Sequence, residues 1–362
     1  MLRFPKPPFE HLLRLSDGIG VFEHARNAVP NRENGYCTDD VARALVVVLR
    51  EQSRPAALDQ LAQTCLAFLE SAQLPDGRFH NRLAAQPEAM WIDEVGSDDS
   101  IGRALWALGS TAARGPTEEI RRRALIRFEA GAGFRSQSPR ASAAAVLGGA
   151  EVLTARPGHR DARTLVMVGA TALGVVSPDP AWPWPEARLA YDNSRLAEGR
   201  IAAGVVLKDR RLLDEGLLLL DWLVETETKG DHFSFTPPHG WEPGEPRPGF
   251  PQQPIEAGAM ADACARAFDA TGDLCWASAV LRAAGWLLGT NDVGVPLLDA
   301  ATGGCHDALA LDGFNANEGA ESTLALISAL QHARRLQAAG RSAASSSVVT
   351  TLAAPTHRSA AP

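Results

Sequence analysis

Twice in this sequence a pair of adjacent carboxylates opens a segment with helical apolar spacing. The first is Thr38-Asp39-Asp40-Val41-Ala42-Arg43-Ala44-Leu45. The second is Ser97-Asp98-Asp99-Ser100-Ile101-Gly102-Arg103-Ala104-Leu105. In each, a hydroxyl residue can cap the helix by accepting from free backbone N–H groups. Two acids then fall in the first turn, where the helix dipole favours negative charge. An Arg follows three residues after Asp40 and four after Asp99, on the face of the second acid. One such segment is a well-capped helix with a local ion pair. Acids recur at later helix starts, at Asp192, Glu256 and Glu321, and that recurrence points to shared chemistry. Two carboxyl groups with separated pKa values can serve as general acid and as base or nucleophile.

The candidates divide by environment. Asp40 and Asp99 have an Arg within reach, which lowers a carboxyl pKa and suits a base or a binding group. Asp39 and Asp98 suit helix capping or ligand binding. Glu256 follows Pro254 in a first turn and has no local Arg, so burial would raise its pKa and make it a general acid. Glu318 and Glu321 lie one turn apart, and one of them is structural. The catalytic candidates are therefore Asp40, Asp99, Glu256 and Glu321. Asp192, Asn193, Arg195, Gln253 and Asn317 join Asp39 and Asp98 as groups able to bind hydroxyls. His80 and His306 stand in loops and suit sugar contact or a structural role. Trp91, Trp182 and Trp184 offer flat faces for a pyranose, although the Trp182-Pro183-Trp184-Pro185 loop can equally be packing. His80 and His306 with Asp307 lack metal-ligand spacing, so neither a metal nor a cofactor is expected.

Helices must position these groups. Apolar periodicity marks helix starts near 39, 98, 138, 192, 256 and 320, and five of these six carry an acid. The start near 138 does not. The segments behind them are small-residue-rich and apolar nearly all round, as buried helices are. Between them lie amphipathic segments such as 55–72, 117–130 and 210–226. The repeat is too irregular for a strict solenoid. An all-α (α/α)6 toroid accounts for it, with six inner and about six outer helices. An open array of helical hairpins is the alternative. A closed ring better explains why chemistry gathers at one end of every inner helix. One toroid domain over 1–338 is expected, then an Ala/Ser/Thr-rich disordered tail over 339–362.

Bulk properties narrow the function. The chain has 362 residues, 45% of them hydrophobic, and a net charge of −8. No basic patch suggests nucleic acid. No apolar run is long enough to span a membrane, and the start lacks the pattern of a signal peptide. Five scattered cysteines without a C-x-x-C pair fit reduced thiols in a cytoplasm.

Several segments resemble a known group. Gly35-Tyr36-Cys37-Thr38-Asp39-Asp40, Asp76-Gly77-Arg78-Phe79-His80-Asn81, Ser97-Asp98-Asp99, Tyr191-Asp192-Asn193-Ser194-Arg195 and Asn317-Glu318-Gly319-Ala320-Glu321-Ser322-Thr323 look like those of bacterial (α/α)6-toroid proteins related to six-hairpin glycosidases. The resemblance covers roughly residues 10–335. It implies an association with group 1 glycosyltransferases and mannoside-processing enzymes, and a glycan as ligand. No nucleotide-binding glycine fingerprint accompanies it. The expected function is a glycoside hydrolase or phosphorylase acting on an oligosaccharide. A sugar isomerase or epimerase, or a non-catalytic glycan-binding partner of a glycosyltransferase, are the alternatives.

Overall fold

The structure is a computed structural model that describes residues 4–85 and 89–352, with side chains as far as residue 339. Six long helices form the inner layer: α2 (Thr38–Arg50), α4 (Asp98–Arg114), α6 (Pro139–Ala155), α8 (Ser194–Leu207), α10 (Pro254–Thr271) and α12 (Ala320–Leu352). Between them run α3 (Ala56–Ala72), α5 (Glu118–Gly131), α7 (Arg160–Thr171), α9 (Arg210–Thr226) and α11 (Leu274–Leu287). The short α1 (Glu10–Arg14) packs on α12 and supplies the sixth outer position. Each inner helix packs on the next, from α2 through α4, α6, α8 and α10 to α12, and α12 returns to α2. That last contact closes the ring and rules out the open array. The fold is the (α/α)6 toroid.

Composition explains the two layers. In α6 every residue from Arg140 to Leu153 is buried, whereas α5 buries only Ala124, Phe128 and Gly131. An inner helix is covered on both sides, so small residues replace the usual polar face. The closest approach is between α4 and α6. A Cβ on Gly148 would lie 2.3 Å from the Leu105 carbonyl oxygen, and one on Gly109 would lie 2.2 Å from that of Gly148. Both obstacles are backbone, which no rotamer change can move.

Strands are short and serve the loops. Tyr36–Cys37 pairs with Arg82–Ala84, and that strand pairs with Met90–Trp91. Ala308–Ala310 pairs with Gly313–Asn315. Both arrangements lie in the segments that lead into inner helices. Among the described residues no helix is long and apolar enough to cross a membrane. The expected tail over 339–362 begins inside α12, whose backbone runs to Leu352, and 353–362 lie outside the described residues.

The α4–α6 contact yields a direct test. Gly148→Ala gains about 1 kcal/mol of helix propensity but forces overlap with backbone, which costs up to about 3 kcal/mol. A net loss of about 2 kcal/mol in urea-denaturation stability is expected. An unchanged midpoint would mean that the helices part freely.

Candidate active site

The inner helices run parallel, so their N-terminal ends converge on one mouth of the ring. Ser97 caps α4, its Oγ accepting from the Ser100 N–H at 3.2 Å. Thr38 does not cap α2, contrary to the sequence expectation. It lies inside the helix, and its Oγ1 donates to the His80 carbonyl at 2.7 Å. That bond fixes the loop carrying His80 and Trp91 against the start of α2.

Arg103 of α4 holds the centre. Its Nη1 lies 2.8 Å from Asp39 and 3.9 Å from Asp99, and its Nη2 lies 3.3 Å from Asp192. The local pair with Asp99 is thus the weakest of three, and the two stronger ones cross the ring. Arg43 does the same on the other side, at 2.7 Å from Asp40 and 2.9 Å from Glu321. A small cavity of about 40 Å³ sits among Arg43, Arg103, Asp192, Arg195 and Glu321. Asp99 also accepts from the Tyr191 hydroxyl and, at 3.2 Å, from Ser138 Oγ. Burial and the Asp99 charge raise the Tyr191 pKa, so the phenol stays a donor. Asp98 is exposed and accepts from Ser136 Oγ at 2.5 Å.

Glu256 opens α10 with only 5% of its surface exposed. The Asp192 N–H donates to its Oε1 at 2.6 Å and the Asn193 N–H to its Oε2 at 3.4 Å. Burial and the Asp192 charge outweigh these donors and push its pKa up to about 8. That matches the expectation of a raised acid at this position. Asp40 departs from expectation. Its Arg is present, yet complete burial dominates, with Glu321 and Asp39 adding, and its pKa rises to about 7. Burial also acts on Asp39 and Asp192, but arginines prevail there. Arg103 and Arg43 hold Asp39 below its ordinary range, and Arg195 and Arg103 hold Asp192 there.

Other candidates are buried. Arg195 reaches Asp192 at 3.4 Å and, along the ring axis, Glu198 at 2.5 Å, Asp262 at 3.3 Å and the Trp106 ring at 4.6 Å. It borders the small cavity but is buried like the rest of α8 at that level, so it joins the mouth to the core. Asn193 is buried too. Its Oδ1 accepts from the Ala190 N–H and from Arg140, and its Nδ2 donates to the Ala190 carbonyl. Its Oδ1 is fully used, and with 2% of the residue exposed its second Nδ2 hydrogen faces the interior and not the mouth. Trp184 is 1% exposed and stacks on Trp222, so it has no free face. Trp182 packs edge-on to Trp222 and Trp241. This loop is an aromatic cluster over α9.

The rim keeps the rest. His80 stacks on Trp91 at 5.0 Å, and its Nδ1 lies 2.7 Å from the Asp93 carbonyl. His306 stacks on Phe314 at 3.8 Å. Asn317 accepts the Asn27 N–H at 3.0 Å, and Gln253 is half-buried at the start of α10. Sequence reasoning missed Arg140. The helix start without an acid carries this buried cation, which binds Glu186 at 2.8 Å, the Tyr191 carbonyl and Asn193, and faces the Tyr191 ring. Its signal was the missing acid itself, since the position is filled by the opposite charge.

A wide cavity of about 1080 Å³ lies at the opposite mouth, bordered by Arg50, Arg114, Glu151, Glu198 and Arg266. Four of its acids are in ion pairs: Glu151 with Arg114 and Arg266, Glu198 with Arg195 and Arg266, Asp262 with Arg50, and Asp269 with Arg335. Trp106 is its one aromatic side chain besides His332. At the N-terminal mouth, by contrast, carboxylates of both pKa directions meet an aromatic ring, that of Tyr191.

No protein-family model matches the chain, and no curated protein matches it. Solved structures do. A sugar epimerase from a ruminal bacterium is 13% identical, with a TM-score of 0.67 over 90% of this chain and 95% of that one. Cellobiose 2-epimerase from Bacillus thermoamylovorans is 11% identical at the same TM-score and the same coverage. A cellulase of C. cellulolyticum in complex with cellobiose is 8% identical, with a TM-score of 0.61 over 87% of each chain. These likenesses are to six-hairpin glycosidase-like proteins, and they concern the fold.

Two outcomes test the site's electrostatics. Arg103→Met leaves buried carboxylates unpaired and should cost about 3–5 kcal/mol in denaturant stability. Between the ordinary Glu value of 4.5 and about 8, folded Glu256 keeps a proton that the unfolded chain has released. Its contribution to stability therefore falls as pH rises across that window. Glu256→Gln should flatten the corresponding slope of Tm against pH, and an unaltered slope would place the titration elsewhere.

Proposed function

We propose that this chain is a carbohydrate-active enzyme that binds an oligosaccharide at the N-terminal mouth and hydrolyses a glycosidic bond with carboxyl groups. One observation carries the reading. Glu256 and Asp99 stand on opposite sides of one charge chain, which runs from Glu256 through Asp192 and Arg103 to Asp99. Burial raises the Glu256 pKa to about 8, and Asp99 accepts from the Tyr191 hydroxyl and Ser138 Oγ and faces Arg103. On this arrangement we assign Glu256 as general acid and Asp99 as the partner base or nucleophile. Asp39 shares one nitrogen of Arg103 with Asp99 and is held below its ordinary range, so it stands as a second carboxylate beside the proposed base. Trp91 and Phe314 at the rim supply apolar faces for a sugar ring. A glycosyltransferase as neighbour in the cell, and a cytoplasmic location suited to five free cysteines, belong to the same proposal.

A second reading has its own support. The His80 Nδ1 faces a backbone carbonyl and must donate to it, so the neutral ring carries its lone pair on Nε2. An imidazole fixed in that tautomer beside a sugar site suits proton abstraction next to a carbonyl, as an epimerase requires. The epimerases among the similar structures lend this reading weight.

One assay separates the two. Manno- and gluco-oligosaccharides are incubated with wild type, Glu256→Gln, Asp99→Asn and His80→Ala, and reducing ends and free monosaccharides are followed. Hydrolysis predicts release of reducing sugar that falls by about 10²–10⁴-fold in Glu256→Gln and Asp99→Asn, with an alkaline limb near pH 8 in wild type. Interconversion of sugars, abolished by His80→Ala, would overturn hydrolysis in favour of epimerisation. Binding without any turnover would sink both.

A further inference from the structure

Away from the central charge chain, Asp299, His306 and Glu318 each bring a ligand atom to within 4.8 Å of the other two. Asp299 lies in the loop after α11, His306 in the next turn, and Glu318 two residues before α12. The backbone makes room for them. A Cβ on Gly304 would fall 2.0 Å from Glu318 Oε2.

The charges here are balanced differently from the rest of the ring. Glu318 is 2% exposed. Among the described residues no Lys or Arg stands within ion-pair distance of it. Its side chain meets His11 Nδ1 at 3.6 Å, accepts a hydrogen bond from Thr302 Oγ1 at 2.7 Å and stands against the Asp299 carboxyl. Several other buried acids take an arginine, as Asp40 takes Arg43, Asp262 takes Arg50 and Glu198 takes Arg266, and Glu256, which takes none, has two backbone N–H donors instead. His306 is 8% exposed, and its Nδ1 is buried with no hydrogen-bond partner. An unpaired buried polar group costs about 1–3 kcal/mol. A divalent cation satisfies the two carboxylates and the imidazole together.

We propose that Asp299, His306 and Glu318 form a binding site for a divalent transition-metal ion, for which Zn2+ is the fitting choice. Zn2+ takes His nitrogen and Asp or Glu oxygen and accepts three protein ligands plus water. Ca2+ prefers six to eight oxygen ligands and has no use for the imidazole. The bound ion would join the loop after α11 to the start of α12. His11 of α1 already donates its Nε2–H to the Glu318 carbonyl at 2.8 Å. The ion thus pins the place where the last inner helix meets the short first helix. It stands whatever reaction the mouth of the ring performs.

The test uses the full chain, freed of metal by a chelator. Zn2+ alone is titrated by calorimetry, and Tm is followed with and without it. One Zn2+ per chain and a rise in Tm are expected, because binding to the folded state stabilises it. Removing even an outer partner of a metal site costs about 10–100-fold in affinity, so Asp299→Asn and His306→Ala should each cost about tenfold or more. Cys275→Ser, which removes the exposed thiol, should leave the affinity unchanged. Co2+ should give a visible absorption band that His306→Ala abolishes. Asp299 is a half-buried loop residue, so Asp299→Asn decides the matter if His306→Ala does not fold. The proposal falls if wild type binds no Zn2+ saturably, if Asp299→Asn binds it as well as wild type, or if Ca2+ binds as tightly.

Discussion

The reach of Arg103 across the ring is the constraint on which the rest of the structure depends. Six inner helices aim their N-terminal ends, and the acids those ends favour, at one place. Without cations, the burial that the toroid imposes would protonate or expel those acids. Arg103 meets carboxylates of α2, of its own helix and of the turn before α8 with one planar group. A lysine has one point charge and could not span them. Arg43 repeats the arrangement between α2 and α12. Two arginines thereby connect four of the six segments that converge on the mouth, and the helix packing behind them can stay free of charge.

This pattern continues down the axis. Arg195 passes the charge from Asp192 to Glu198 and Asp262, and Asp262 hands it to Arg50, with Ser328 and His332 as hydrogen-bonding partners. Inner helices buried all round have no solvent face on which to place ionisable groups. Each such group must therefore find an opposite charge inside the ring or, like Glu256, hold its proton. The α4–α6 seam shows the other solution, in which glycine and alanine remove side chains altogether so that backbones touch.

Helix order and the inner and outer layers were legible in the sequence, because small-residue segments and amphipathic segments alternate with clear helical period. So were the acids of the mouth and the burial of Glu256. Cross-ring pairing was not legible. Spacing shows that Arg103 can reach Asp99 one turn away, but nothing local says that Asp39, 64 positions earlier, lies closer. For the same reason Asp40 was expected to be low. Its Arg is visible in sequence, whereas its complete burial is a property of the closed ring. Trp184 and Asn193 were misplaced for a related cause. An aromatic loop and an amide at a helix start look alike whether they face a ligand or fill a core. The Asp299, His306 and Glu318 cluster follows no short metal motif, since its members come from separate loop positions.

Asp192 shows how fold and chemistry meet at one residue. Its φ of 48° lies in the left-handed region, which costs a non-glycine residue about 1–3 kcal/mol unless its surroundings hold it. The surroundings here do. Glu256 accepts its N–H, Arg103 and Arg195 flank its carboxylate, and the next residue, Asn193, closes the turn on Ala190. One carboxylate oxygen, Oδ1, still lacks a hydrogen bond despite the nearby Arg195. A turn chosen for stability alone would place glycine or asparagine at that backbone. An aspartate there raises the pKa of Glu256 through its charge and draws Arg103 toward the mouth. The strained residue is therefore the one that sets both partners of the charge chain, and of the arginines that hold it, Arg103 also keeps Asp39 ionised.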